Sequence, residues 1–177
     1  MQILNYNFTK LILYLVLVLS VFILFFTASI SYRKIVELTE SEQNLIHKHL
    51  ITAQLELLAS DIKQAESNQR GFIITGDSTF VQTYRSAKNA AATSYQNLVQ
   101  LLENDELQKK NLLTLQNLQE DRFYYLDKNL QYSTDTLEKK LLLKRSMNAG
   151  KRTMDLLLAK INQMKNIELS LLQKRSK

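Results

Sequence analysis

The chain has 177 residues, 23 Lys plus Arg against 17 Asp plus Glu, and a formal net charge of +6. It holds no Cys, no Pro and only three Gly, which excludes disulfides, thiolate metal sites and a cysteine nucleophile. The same scarcity excludes the many turns of a β-sandwich or barrel and the Gly-rich loops that cradle phosphates. Leu, Lys, Gln, Asn, Ala and Glu dominate, and most of them are good helix formers, so the fold class is all-α.

Leu11 to Ile30 runs without a charge. Twenty helical residues span roughly 30 Å, the thickness of a hydrocarbon core. Lys10 precedes the run; Tyr32, Arg33 and Lys34 follow it at interface depth. The run exceeds the ~7–15-residue core of a cleaved signal peptide and no A-x-A site follows, so residues 11–30 read as an uncleaved transmembrane anchor after a short N-terminus, residues 1–10. Counted plainly, the flanking cations are neutral or favour a cytoplasmic remainder.

Beyond the anchor, Ile51, Leu55, Leu58, Ile62, Ala65, Gln69 and Phe72 step by four and three, a heptad seam on one helix face. One helix is predicted from the anchor to about Thr75. Gly76 suits the left-handed C′ position, and Asp77 or Ser78 can cap the next helix. The second helix carries Phe80, Tyr84, Ala87, Ala91, Ser94, Leu98 and Leu101. Asn104 and Asp105 end it and can cap the third, which carries Leu112, Leu115, Gln119, Phe123, Leu126 and Leu130. Ser133 to Asp135 is the next predicted break, with Asp135 and Glu138 at capping-box spacing. The last helix carries Leu137, Leu141, Met154, Leu157, Ile161, Met164, Glu168 and Leu171. Two long outer helices and two shorter inner ones imply an up-down-up-down four-helix bundle over residues 31–177. Gly150 falls inside the last helix, read as continuous; Gly there costs about 1 kcal/mol relative to Ala, so Gly150→Ala is expected to stabilise.

Asp61 to Asp77 reads D-I-K-Q-A-E-S-N-Q-R-G-F-I-I-T-G-D. Ala65, Glu66, Arg70, Gly71, Phe72 to Thr75, Gly76 and Asp77 resemble the signature of the CHASE family of extracytoplasmic sensor domains, third type. Gly150 with Met154 and Asp155, then Glu168 with Leu171, Leu172 and Arg175, are similar to that family's closing pattern. The Arg that usually follows the Met-Asp pair is missing, since Leu156 to Leu158 stand there. The resemblance covers about residues 35–175. It implies a four-helix sensor outside the bacterial cytoplasmic membrane, hence residues 32–177 extracytoplasmic, and this overrides the plain cation count. It further implies a second spanning helix and a cytoplasmic transmitter, most often a histidine kinase. Neither stands within these residues, so the chain is either cut short of them or a sensor without its own transmitter.

Glu66 and Arg70, four apart with the acid first, form a favourable helix pair, expected to organise the bundle tip rather than to bind a ligand; on that reading Arg70→Ala lowers the melting temperature. Gln69 and Glu168 are polar residues on apolar seams, where they set register. His47 and His49 lie on different helix faces, which disfavours joint metal ligation. Tyr124, Tyr125 and Tyr132 with Arg122 read as packing tyrosines before they read as a ligand site. No catalytic set, metal set or cofactor loop stands out, and no enzyme activity is expected. Residues 141–177 carry nine Lys or Arg against two acids, which suits anionic headgroups better than nucleic acid. Apolar residues outside a single seam, among them Leu38 and Leu45 on the first helix and Leu158, Ile167, Leu169 and Leu172 on the last, predict a homodimer with Leu38 and Leu45 near the twofold axis. The leading functional reading is a membrane-anchored sensor module with an unidentified ligand or protein stimulus. The alternative is a single-pass helical tether or scaffold without signalling output.

Overall fold

The computed structural model describes residues 2–132 and 136–175, with the side chains of 1–12, 40–41 and 171–177 left aside. The described residues form four helices: α1 (Gln2–Thr75), α2 (Thr79–Leu101), α3 (Glu106–Gln131) and α4 (Leu137–Arg175). The chain divides into two compact units, residues 1–45 and 46–177.

Unit 1 is the first stretch of α1. Its apolar side chains from Leu13 to Phe26 are all exposed, and Ile35, Leu38 and Leu45 stay exposed after them. The helix is long and apolar enough to cross a membrane, and no other part of its own unit covers its apolar stretch.

Unit 2 is the bundle. Gln54 and Asp61 of α1 meet Ser94 of α2. Tyr84 and Lys88 meet Asp127 of α3, whereas Tyr95 meets Leu112 and Gln116. Gln108 of α3 meets Met164 and Glu168 of α4, and α4 returns to α1 through Lys48–Glu168 and Glu56–Lys165. Between α2 and α3 the partner number falls as the residue number rises, the mark of antiparallel neighbours; the α1–α4 pairs follow the same order. The heptad seams point inward: Leu55, Leu58, Ile62, Leu98, Leu115, Leu126, Leu157 and Met164 are fully buried, each contributing about 1.5–3 kcal/mol of apolar burial.

Local chemistry sets the helix ends. Gly76 has φ +70°, a conformation that a Cβ opposes, and its N–H donates to the Phe72 carbonyl at 2.8 Å. Ser78 stands at the N-cap of α2 without a capping bond; the Asp77 Oδ1 instead accepts from the Thr79 N–H at 2.9 Å. That bond holds the Asp77 carboxyl below the usual carboxylate range. Asp105 caps α3 as expected, accepting from the Gln108 N–H at 2.9 Å. A Cβ on Gly71 would lie 2.5 Å from the Phe80 ring, so this glycine lets the last turn of α1 meet the first turn of α2. The predicted break at Ser133 to Asp135, with its capping box, lies outside the described residues, as do the side chains of Leu171 and Leu172.

Two expectations are corrected in α4. Leu137 and Leu141 are 86% and 51% exposed. Stepping back from Met154 by four and four leads through Gly150 to the buried Ser146, and Leu141 falls off that line. Gly150 does lie in continuous helix, but it is buried against α3. A Cβ there would meet Arg122 Nη1 at 2.6 Å and Tyr125 Cβ at 3.0 Å. Overpacking of this kind costs about 1–3 kcal/mol, more than the ~1 kcal/mol of helix propensity recovered. Gly150→Ala is therefore expected to lower the melting temperature of the purified chain in detergent; a rise would show that α3 yields freely at this point.

Candidate functional site

The bundle core carries polar clusters near each end, with a mainly aliphatic middle that also encloses Ser94 and Gln119. The far layer starts from Glu66 and Arg70, one turn apart at the end of α1. Arg70 Nη2 meets Glu66 Oε1 at 2.8 Å, and its side chain is 58% exposed. Glu66 Oε2 meets Arg122 Nη2 of α3 at 2.6 Å, and the Arg122 side chain is only 3% exposed. One carboxylate thus joins a surface cation to a buried one. Charge-assisted bonds of this length are strong, and a buried charge left unpaired destabilises by about 3–5 kcal/mol.

Around this pair lies a hollow of about 130 Å³, lined by Glu66, Gln69, Arg70, Arg122, Asn129, Met147, Asn148 and Lys151. Gln69, Arg122 and Asn129 are almost wholly buried. Gln69 Nε2, Arg122 Nε and Asn129 Oδ1 have no hydrogen-bond partner among the described residues. Gly150 makes room for the Arg122 guanidinium beside α4. Three helices therefore contribute to one polar chamber: α1, α3 and α4.

The near layer sits at the end where α1 enters unit 2. Glu168 of α4 is buried; it accepts from Lys48 Nζ of α1 at 3.2 Å and from Gln108 Nε2 of α3 at 2.7 Å. Asn111 Nδ2 donates to Gln108 Oε1 at 3.0 Å and extends the network along α3. Between α2 and α3 runs an open groove of about 510 Å³ that includes Lys88, Tyr95, Phe123, Tyr124 and Asp127. The Lys88 ammonium there pairs with Asp127 at 2.7 Å and lies 5.5 Å from the Phe123 ring centre. Burial, and then the hydrogen bond to Asp127, push the neighbouring Tyr84 phenol above its ordinary range.

Glu66, Arg70, Gly71, Gly76 and Asp77 from the α1 motif fall together at the far end, with Gly150 opposite. Met154 is buried one turn further along α4, while Asp155 beside it is exposed. Glu168 belongs to the other layer. Leu38 and Leu45 lie in unit 1 and are exposed. His47 and His49 are exposed, and among the described residues no cluster of three His, Cys, Asp or Glu side chains is placed to hold a metal ion. Sequence reasoning missed Arg122 as the partner of Glu66, Asn129 and Ser146 as buried polar groups, and Lys48 with Gln108 as the partners of Glu168. Arg122 and Asn129 complete the strict four-three series Leu112, Leu115, Gln119, Arg122, Leu126 and Asn129, all buried; the expected seam left that series by stepping four from Gln119 to Phe123.

Comparison with known proteins adds three findings. A family model described as the CHASE3 domain matches residues 41–177. The crystal structure of the Rhodopseudomonas palustris histidine kinase HK9 sensor domain is similar in fold, with a TM-score of 0.61 at 18% identity, covering 71% of this chain and 98% of that one. No curated protein matches.

The geometry separates the two arginines. Arg70 ends in water, and an exposed pair contributes only about 0.2–1 kcal/mol. Arg70→Ala is expected to lower stability by less than about 1 kcal/mol, whereas Arg122→Ala, which empties a buried site while Glu66 keeps its bond to Arg70, should cost more, about 2–5 kcal/mol. Melting of the two variants in one detergent checks the order; equal losses would place Arg70 in the scaffold alongside Arg122.

Proposed function

We infer how the chain works from one premise: it belongs to the CHASE3 domain family, over residues 41–177. It is an extracytoplasmic sensor module of a signal-transduction protein, and the apolar stretch of α1 is its candidate membrane helix.

In our reading residues 11–30 cross the bacterial inner membrane, residues 1–10 stay in the cytoplasm, and residues 32–177 lie outside it. The output is a transmitter of the histidine-kinase class, and the signal is mechanical. A stimulus at the bundle shifts packing, and α1 and α4, the two helices that lead away from it, carry the shift towards the bilayer. The observation that supports this most directly is the near layer. Lys48, Gln108 and Glu168 tie α1, α3 and α4 together at the end where α1 enters the bundle, so a displacement of α4 there is felt by α1. Two chains pair through the exposed apolar positions of the first helix, with Leu38 and Leu45 near the axis. That covers an apolar strip otherwise left in water and joins both anchors in one response.

Two measurements test this reading. Alkaline phosphatase fused after Lys177 is expected to be active; an inactive fusion, with a cytoplasmic reporter active at the same point, reverses the orientation. In membranes, Leu38→Cys and Leu45→Cys should each cross-link between chains on oxidation, while Glu37→Cys and Asn44→Cys do so poorly. The chain has no cysteine of its own, so equal cross-linking at all four positions, or none at any, removes the proposed dimer axis.

A further inference from the structure

We propose that the hollow at the far end of the bundle is a binding site for a small planar oxyanion of the carboxylate class. The ligand class deepens the sensor reading, although the binding itself does not depend on it.

The charges point to an anion. Arg70, Arg122 and Lys151 line the hollow with a single acid, Glu66, which leaves two positive charges uncompensated around one small volume. Lys151 has no ion pair among those found in the described residues, and it is exposed. Concave sites lined by one sign of charge concentrate the opposite ion. The hydrogen-bonding groups agree. Arg122 uses Nη2 on Glu66, while its buried Nε and the buried Gln69 Nε2 are donors without an acceptor. Asn129, also without a partner at Oδ1, can turn its amide to present a donor, since its oxygen and nitrogen interchange at no steric cost. Burying such groups unpaired is unfavourable, and an oxyanion supplies the acceptors that they lack.

Shape and size narrow the class. The guanidinium fork matches planar, bidentate oxygens, and the site already holds one such group, the Glu66 carboxylate, between two arginines. The hollow of about 130 Å³ has room for formate, acetate or nitrate. An anion held there touches α1 through Arg70, α3 through Arg122 and α4 through Lys151. It would draw three helices towards one point, which is the displacement that the sensor reading requires.

The test uses the purified full chain in detergent, melted in sodium formate, acetate or nitrate against sodium chloride at equal ionic strength. Binding to the folded state raises the midpoint. A rise of about 2–5 °C over chloride is expected when the anion is well above its Kd. Lys151→Met and Arg70→Gln, each compared with its own melt in chloride, should lose more than half of that rise. Lys110→Met, a surface change at the other end of the bundle, should keep it. Identical midpoints in all salts, or full retention of the rise in Lys151→Met and Arg70→Gln, would each overturn the site. A chain whose reporter is active outside the cytoplasm but whose midpoint ignores the anion loses only this site. A chain that responds to acetate with the reporter orientation reversed loses only the sensor reading.

Discussion

A guanidinium almost wholly out of water organises the far half of the bundle. Arg122 enters from α3, and a charge in that position must find a counter-charge. Glu66 of α1 supplies it at 2.6 Å, which fixes the relative register of two helices that are not neighbours in sequence. The same guanidinium needs room beside α4, and Gly150 provides it. One side chain therefore dictates an acid on α1, a missing side chain on α4, and the spacing of both from the apolar core.

The polar groups near the two ends differ in chemistry as well as in place. Far from the entry of α1 the charges are mostly positive and three buried polar atoms lack partners. At the entry the Glu168 carboxylate is matched by Lys48 and Gln108. Between them the core is mainly aliphatic, with Leu55, Leu58, Leu98, Leu115 and Leu157 fully buried beside the polar Ser94 and Gln119. Satisfied networks rigidify, and partly satisfied ones are open to re-partnering. The network at the entry of α1 is thus the more fully satisfied of the two, and the far one is the more open to new partners.

The fold was largely legible because heptad spacing, the left-handed Gly76 and the cap Asp105 are local signals that agree with one another. Glu66 and Arg70 of the CHASE-like run lie in the last turns of α1. What sequence could not show was partnership across helices. The Glu66–Arg70 spacing suggests a self-contained pair, yet the buried partner of Glu66 is Arg122, which four-three spacing puts on the inner face of α3 without naming its partner. Gly150 misled for the same reason: a propensity argument sees one helix, while the cost of a Cβ there is set by another. Leu137 and Leu141 were apolar and helical, but the seam in α4 runs through Gly150 and Ser146 instead.

The clasp between Lys48 and Glu168 also sets which degrees of freedom α4 retains. Turning α4 by one residue, about 100°, would swing the Glu168 carboxylate away from both of its donors and carry Met164, fully buried now, out of the aliphatic core. Axial rotation is thereby opposed by charge and by hydrophobicity together. Translation along the axis meets less resistance, because the lysine stem has four rotatable carbons that can follow a carboxylate over an ångström or two. The second tie, Lys165 to Glu56, is again a lysine and equally extensible. Joined in this way, the first and last helices are coupled more tightly in twist than in translation.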